Sequence, residues 1–112
     1  MGLLDMFTKA SRGERHRGRF DADAQYLANW VHSHVGVEAY VEPQTTVTPM
    51  TVVLIANDGE WTRRAVGGER GARRLGEDLG IPVYDVRKTG YPQRMRDHDA
   101  RQKILRKRAR EA

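Results

Sequence analysis

The chain has 112 residues, a length typical of one domain with a single modest core. It contains no cysteine, which excludes disulfides, thiolate zinc sites and cysteine-ligated iron–sulfur clusters. Its formal net charge of +5 is unevenly distributed, because residues 1–20 carry +3, residues 21–62 carry −6 and residues 63–112 carry +8. The basic last segment favours an anionic partner such as nucleic acid, and the acidic middle segment could bind a protein partner.

The first twenty residues predict a flexible basic arm. Residues 1–7 are mostly apolar and residues 8–20 are basic and interrupted by glycine, an order opposite to that of a secretory signal. No apolar run approaches the length of a membrane span. We therefore expect a cytoplasmic protein without stable membrane insertion.

A helix is predicted from Asp21 or Asp23, either of which could cap it, to about residue 35. Apolar and aromatic residues recur there at three- and four-residue spacing, as in one buried stripe (Tyr26, Leu27, Trp30, Val31 and His34). His32 and His34 are two positions apart, whereas histidine pairs that bind a metal from a helix are four apart. A structural role for His34 is therefore preferred, and residues 37–41 alternate as a half-buried strand.

The segment 51–66 predicts a β-hairpin. An apolar strand meets Asp58-Gly59, a favoured pair for a two-residue type I′ turn, and residues 60–66 then form a second strand. This register places Leu54 opposite Arg63 and Ala56 opposite Trp61, with Trp61 packing under a helix.

The rest of the chain predicts a helix over 69–79, a strand over 83–87 and a turn-rich exit over 88–93. Residues 94–112 form a basic helix or tail whose apolar face, Ile104 and Leu105, is too narrow for firm docking. We expect this tail to be mobile until a partner binds.

The order α-β-β-β-α-β predicts an α+β fold with two layers. A four-stranded, largely antiparallel sheet carries helices on one face, and the single domain covers residues 21–93, between the arm 1–20 and the basic tail 94–112. The same order resembles the core of the PD-(D/E)xK nucleases, a resemblance that implies a divalent metal held by Glu38 and Asp58. However, the segment 60–63 (EWTR) lacks the lysine of that motif. In addition, the predicted β-turn already accounts for an aspartate at position 58, so a metal site is not needed to explain it.

Two further stretches carry faint resemblances. The stretch 68–71 (GERG) is a G-x-x-G before a helix and resembles the phosphate-clamping loop of KH domains. If 60–66 were helical, the order of elements would be similar to that of type II KH domains. The stretch 80–97 (GIPVYDVRKTGYPQRMRD) resembles small uncharacterised proteins of actinobacteria, which implies no function.

These patterns predict a nucleic-acid-binding protein, with RNA preferred because no DNA groove-reading motif is recognised. Alternatives are a protein-interaction or assembly module and a metal-dependent nuclease. An enzyme is less favoured, and no catalytic residue, metal ligand or cofactor is predicted. Trp61 and Tyr91 could add base stacking. The predicted nucleic-acid contacts are the clustered basic residues: Arg63, Arg64, Arg70, Arg73, Arg74, Arg87, Lys88, Arg94, Arg96, Arg101, Lys103, Arg106, Lys107 and Arg108.

Overall fold

The structure is a computed structural model that describes the backbone of residues 14–111 and the side chains of residues 22–111. The predicted apolar tip of the arm, residues 1–7, lies outside the described residues. Within the described part, no helix has both the length and the apolar character needed to cross a bilayer. In chain order the elements are α1 (Glu14–His32), β1 (Glu38–Glu42), β2 (Thr51–Ile55), β3 (Trp61–Ala65), α2 (Gly68–Leu79), β4 (Val83–Asp85), α3 (Val86–Thr89) and α4 (Gln93–Glu111).

The four strands form one mixed sheet in the order β3-β2-β1-β4. β1 and β3 each pair antiparallel with β2, and β4 pairs parallel with β1. The predicted α+β class with a four-stranded, largely antiparallel sheet is confirmed. The predicted caps are wrong, since Asp21 and Asp23 lie inside α1, which begins at Glu14.

The main core lies between one face of the sheet and the helices α1 and α2. Alternate residues of the strands point to this face, including Ala39, Val52 and Leu54, which are fully buried. Leu27 from α1 and Leu75 from α2 close the core over them. The spacing of apolar residues in the two helical segments predicted that both helices bury one face against the sheet, and this core confirms it.

The opposite face of the sheet carries a second, smaller core. Tyr40, Val53 and Ile55 point to this side, and Met95 from the first turn of α4 packs on them. The segment 94–112 was expected to order only with a partner, but the structure describes it as a continuous helix to Glu111. Arginine, lysine, leucine and alanine are strong helix formers, which explains why the helix continues beyond its docked first turns.

The predicted hairpin is confirmed, but its register is wrong by one residue. The connecting loop has three residues, 57–59, and is closed by a hydrogen bond from Ala56 N–H to the Glu60 carbonyl (2.8 Å). Leu54 therefore lies opposite Thr62 instead of Arg63. Among the described residues, only glycines have positive φ, so Asp58 cannot fill the first position of a type I′ turn.

Candidate nucleic-acid interface

Arg94 attaches the start of α4 to the sheet. Its guanidinium donates hydrogen bonds to the Ala56 carbonyl (2.9 Å) and to the Glu38 carboxylate (2.7 Å). The two charged side chains are 29% and 30% exposed. Arg94 was predicted as a nucleic-acid contact, but in the structure its donors are used within the protein.

The hairpin tip and α4 approach each other closely at Gly59. A Cβ at this position would lie 2.0 Å from the Arg94 carbonyl oxygen and 2.8 Å from His98 Cβ. Gly59 also has a φ of 93°, a conformation that residues with a Cβ rarely adopt. Glycine is therefore required both by the loop and by the helix above it.

Two polar contacts continue the docking of α4 along the hairpin. The Trp61 indole N–H donates to an Asp99 carboxylate oxygen (2.8 Å), and Arg101 donates to the Asp58 carbonyl (3.0 Å). Trp61 packs against a helix, as predicted, but this helix is α4, on the face of the sheet opposite to the one that the predicted pairing with Ala56 implied. The cause is the one-residue shift in register, which moves every side chain of β3 to the other face.

Every side chain of residues 101–111 is exposed, and we call this segment the outer half of α4. It contains six basic residues and one acidic residue. Within the described part of the chain, no carboxylate lies within salt-bridge distance of these basic groups. The basic residues are Arg101, Lys103, Arg106, Lys107, Arg108 and Arg110.

In contrast, the basic residues of β3 are paired with carboxylates and lie on opposite faces of the sheet. Arg63 forms a bidentate pair with Glu42 (2.6 and 3.0 Å) on the α4 face. Arg64 lies on the other face, 3.9 Å from the Asp23 carboxylate and over the Tyr26 ring. These arginines keep much less uncompensated charge than the outer half of α4.

Glu42 is the centre of a cluster of hydrogen bonds at the end of β1. Burial alone raises the pKa of its carboxyl, but hydrogen bonds from Arg63, Thr51 and Tyr91 outweigh this effect and hold the pKa below its usual range. The Tyr91 hydroxyl, which donates to Glu42, has a raised pKa because of burial and of the neighbouring carboxylate. Tyr91 is thereby engaged in the fold.

The other predicted contacts are divided between two sides of the molecule. Arg70, Arg73 and Arg74 are exposed on α2, which covers the face opposite to α4. Arg87 pairs with Asp85 (2.9 Å) at the β4 edge.

Lys88 is exposed on α3, and Arg96 bonds to its neighbours Gln93 and Tyr91. The predicted residues therefore do not form one surface. Arg110 shares the uncompensated environment of the outer half of α4, although it was not among the predicted contacts; its place in the basic run 106–110 was the available signal.

The carboxylates that the nuclease alternative requires do not converge. Glu38 is bonded to Arg94, Asp58 accepts the Glu60 N–H, and the Glu60 carboxylate lies 3.2 Å from His34. Among the residues with described side chains, no group of three His, Cys, Asp or Glu could hold a metal ion. The arrangement that a two-carboxylate nuclease site needs is therefore not assembled.

The helical alternative for 60–66, on which the KH arrangement depends, is wrong because β3 occupies 61–65. The stretch 68–71 instead forms the start of α2. His34 stacks on the Trp30 ring at 3.7 Å between ring centroids and bonds to the Trp30 carbonyl, so its environment is that of a packed structural residue.

A cleft of about 590 Å³ lies where α4 leaves the sheet. Trp61 forms its wall on the β3 side. The α4 side contributes Asp99, Lys103 and Arg106, together with His98 and Gln102. The cleft is thus continuous with the basic outer half of α4 and contains an aromatic ring.

Comparisons of the chain with protein-family models, with curated proteins and with solved structures found no match, so its function must be argued from its own residues.

Proposed function

We propose that the protein binds nucleic acid, with RNA preferred, and that the outer half of α4 makes the principal contacts. The observation that carries this proposal is that every side chain of residues 101–111 is exposed and that the basic ones among them have no carboxylate within salt-bridge distance. Elsewhere, Arg63, Arg64, Arg87 and Arg94 each lie next to a carboxylate. The three exposed arginines of α2 are balanced by three acidic residues on the same helix, so α2 carries no net charge. The outer half of α4 has no such compensation within residues 22–111.

A helix with this charge suits a phosphate backbone. Each phosphate that a lysine or arginine neutralises releases condensed counterions, which supplies affinity that does not depend on sequence. The helix holds its basic groups in fixed relative positions, so less side-chain and backbone order is lost on binding than for an unfolded tail. RNA remains the preferred class because, among the elements of residues 14–111, none crosses α4 as the second helix of a helix-turn-helix reader would.

Two triple variants with the same change in charge test this assignment. The first replaces Arg106, Lys107 and Arg108 in the outer half of α4 by glutamine. The matched control makes the same replacement on the opposite side of the molecule, in α2, at Arg70, Arg73 and Arg74. Glutamine is a good helix former, so both helices should persist.

Binding of the full chain and of both variants is measured by fluorescence anisotropy with single-stranded RNA, structured RNA and duplex DNA over a salt series. The α4 variant should bind more weakly, and its log–log salt slope should fall by about 2 to 3 if all three side chains contact phosphates. The α2 variant should retain both affinity and slope. Equal losses in the two variants would refute the assignment to α4.

A protein-interaction module remains the second candidate, and one observation favours it. Ile104 and Leu105 are adjacent in the outer half of α4 and are 51% and 53% exposed. Replacing both by serine should leave nucleic-acid binding unchanged under the first proposal. The second candidate would be favoured by two results together. The unmodified protein would bind an acidic protein but no nucleic acid, and the double serine variant would lose that complex.

A further inference from the structure

We propose that the cleft between β3 and α4 binds an unpaired base of single-stranded RNA against the Trp61 indole, with flanking phosphates on Lys103 and Arg106. This inference rests on the proposed function and specifies its ligand. It depends on three features of the cleft: a ring held in place, two basic side chains in its lining, and a volume suited to a nucleotide.

The indole of Trp61 is held in a defined position. Trp61 lies opposite Ile55 in the sheet and packs against the second core, and its indole N–H donates to Asp99 (2.8 Å). The Arg63 guanidinium lies over one face of the ring, 5.1 Å from its centroid, and is itself held by Glu42, so a base would stack on the other face. A ring fixed in this way loses little conformational freedom when a base stacks on it.

The charged groups of the cleft are ordered along α4. Asp99 lies at the end where the helix docks, whereas Lys103 and Arg106 lie further along, on the side of the outer half. Lys103 and Arg106 are three residues apart and therefore neighbours on the helix surface. A phosphate is repelled by Asp99 and attracted by the other two groups, so the strand should run from Trp61 towards the C-terminal end of α4.

The cleft volume of about 590 Å³ falls within the range of pockets that hold small organic ligands. A free inorganic anion would use the lysine and arginine but not the indole. A base in a duplex is already stacked between its neighbours, so it must leave the helix before it can stack on a side chain. The cleft therefore favours single strands over duplexes.

The test compares Trp61→Leu, which removes the ring, with Trp61→Phe, which keeps an aromatic face but loses the bond to Asp99. Both full-length variants are titrated with a single-stranded uridine oligonucleotide and with duplex RNA of the same length. Trp61→Leu should bind the single strand about 5- to 150-fold more weakly, the range expected for loss of one stacked base. Trp61→Phe should retain most of the affinity, and duplex binding should not change in either variant.

Intrinsic fluorescence of the unmodified protein gives a second measurement that does not depend on the folding of a variant. The chain has two tryptophans, and Trp30 is 8% exposed in the main core, so a ligand in the cleft reports through Trp61. Single-stranded RNA should quench this emission at saturation, whereas inorganic polyphosphate, which has no base, should bind without quenching it.

The two proposals fail in different ways. If the protein binds single-stranded RNA but Trp61→Leu binds it equally well, or if polyphosphate quenches as RNA does, the stacking site is wrong and the basic helix still stands. If the unmodified protein binds neither RNA form, the proposed function fails and the stacking site fails with it.

Discussion

Replacing Arg94 by alanine separates a structural arginine from a binding arginine on the same helix. Arg94 and the outer half of α4 both carry positive charge, so composition alone treats them as equivalent. In the structure, Arg94 donates to Glu38 and to the Ala56 carbonyl and thereby joins α4 to the sheet. We therefore expect Arg94→Ala to lower stability much more than it lowers RNA affinity.

The magnitude follows from the contacts that are lost. A hydrogen bond to a charged group contributes about 1.5–3 kcal/mol to stability, and the exposure of about 30% of both partners reduces this through solvent screening. The Ala56 carbonyl also loses a donor. We expect the free energy of unfolding to fall by about 2 kcal/mol, which for a domain of this size lowers Tm by about 10 °C.

The assay is urea denaturation followed by circular dichroism, with Arg108→Ala as the control. Arg108 is exposed in the outer half of α4, so its replacement should change stability by less than about 0.5 kcal/mol. RNA affinity, measured at a urea concentration well below the midpoint of unfolding, should fall more in Arg108→Ala than in Arg94→Ala. An unchanged stability in Arg94→Ala, or a loss of RNA affinity equal to that of Arg108→Ala, would refute this division of roles.

Two further predictions concern the hairpin and the Glu42 cluster. Gly59→Ala should cost about 3 kcal/mol or more in urea denaturation, because of strain at φ 93° and a Cβ 2.0 Å from the Arg94 carbonyl. Gly68→Ala, with a similar φ of 79° but open space around its Cβ, should cost only about 1–2 kcal/mol; equal losses would contradict the close packing of α4. Because the folded-state pKa of Glu42 lies below its unfolded value of about 4.3, its contribution is present above pH 4.3 and is lost as pH falls through the folded-state pKa. Stability of Glu42→Gln should therefore depend less on pH than that of the unmodified protein between about pH 5 and 3, and parallel urea-midpoint profiles would contradict this.

The hairpin shows which parts of the fold the sequence could predict. The apolar run before Asp58-Gly59 and the alternation after it predict two antiparallel strands without knowledge of the rest of the chain. The choice between a two- and a three-residue loop depends on backbone geometry at residues 57–59, where Gly59 alone takes the positive φ. The loop length decides on which face of the sheet Trp61 and Arg63 lie. An error of one residue in the loop therefore placed both side chains on the wrong face.

The docking of α4 could not be predicted for a different reason. Its apolar contribution to the sheet is concentrated in Met95, too little for a recognisable stripe. The remaining contacts join residues 38 to 56 positions apart in sequence: Trp61 with Asp99, Arg101 with Asp58, and Arg94 with both Ala56 and Glu38. Polar pairs at such separations leave no periodic pattern, and the four-residue spacings that identify a helix say nothing about them.

In the folded protein, carboxylates of the acidic segment form ion pairs with arginines of the basic segment. The basic residues left without such partners indicate where an anionic ligand is expected to bind. Asp23, Glu38 and Glu42 come from the acidic segment, and each pairs with an arginine from the basic segment. The acidic segment is thus partly used inside the molecule, which weakens the case for a separate acidic surface that binds a protein. The same pairing removes much of the positive field of β3 and of the start of α4. Among the described residues, net positive charge is therefore highest in the outer half of α4, next to the Trp61 cleft, where six exposed basic residues have no carboxylate within salt-bridge distance.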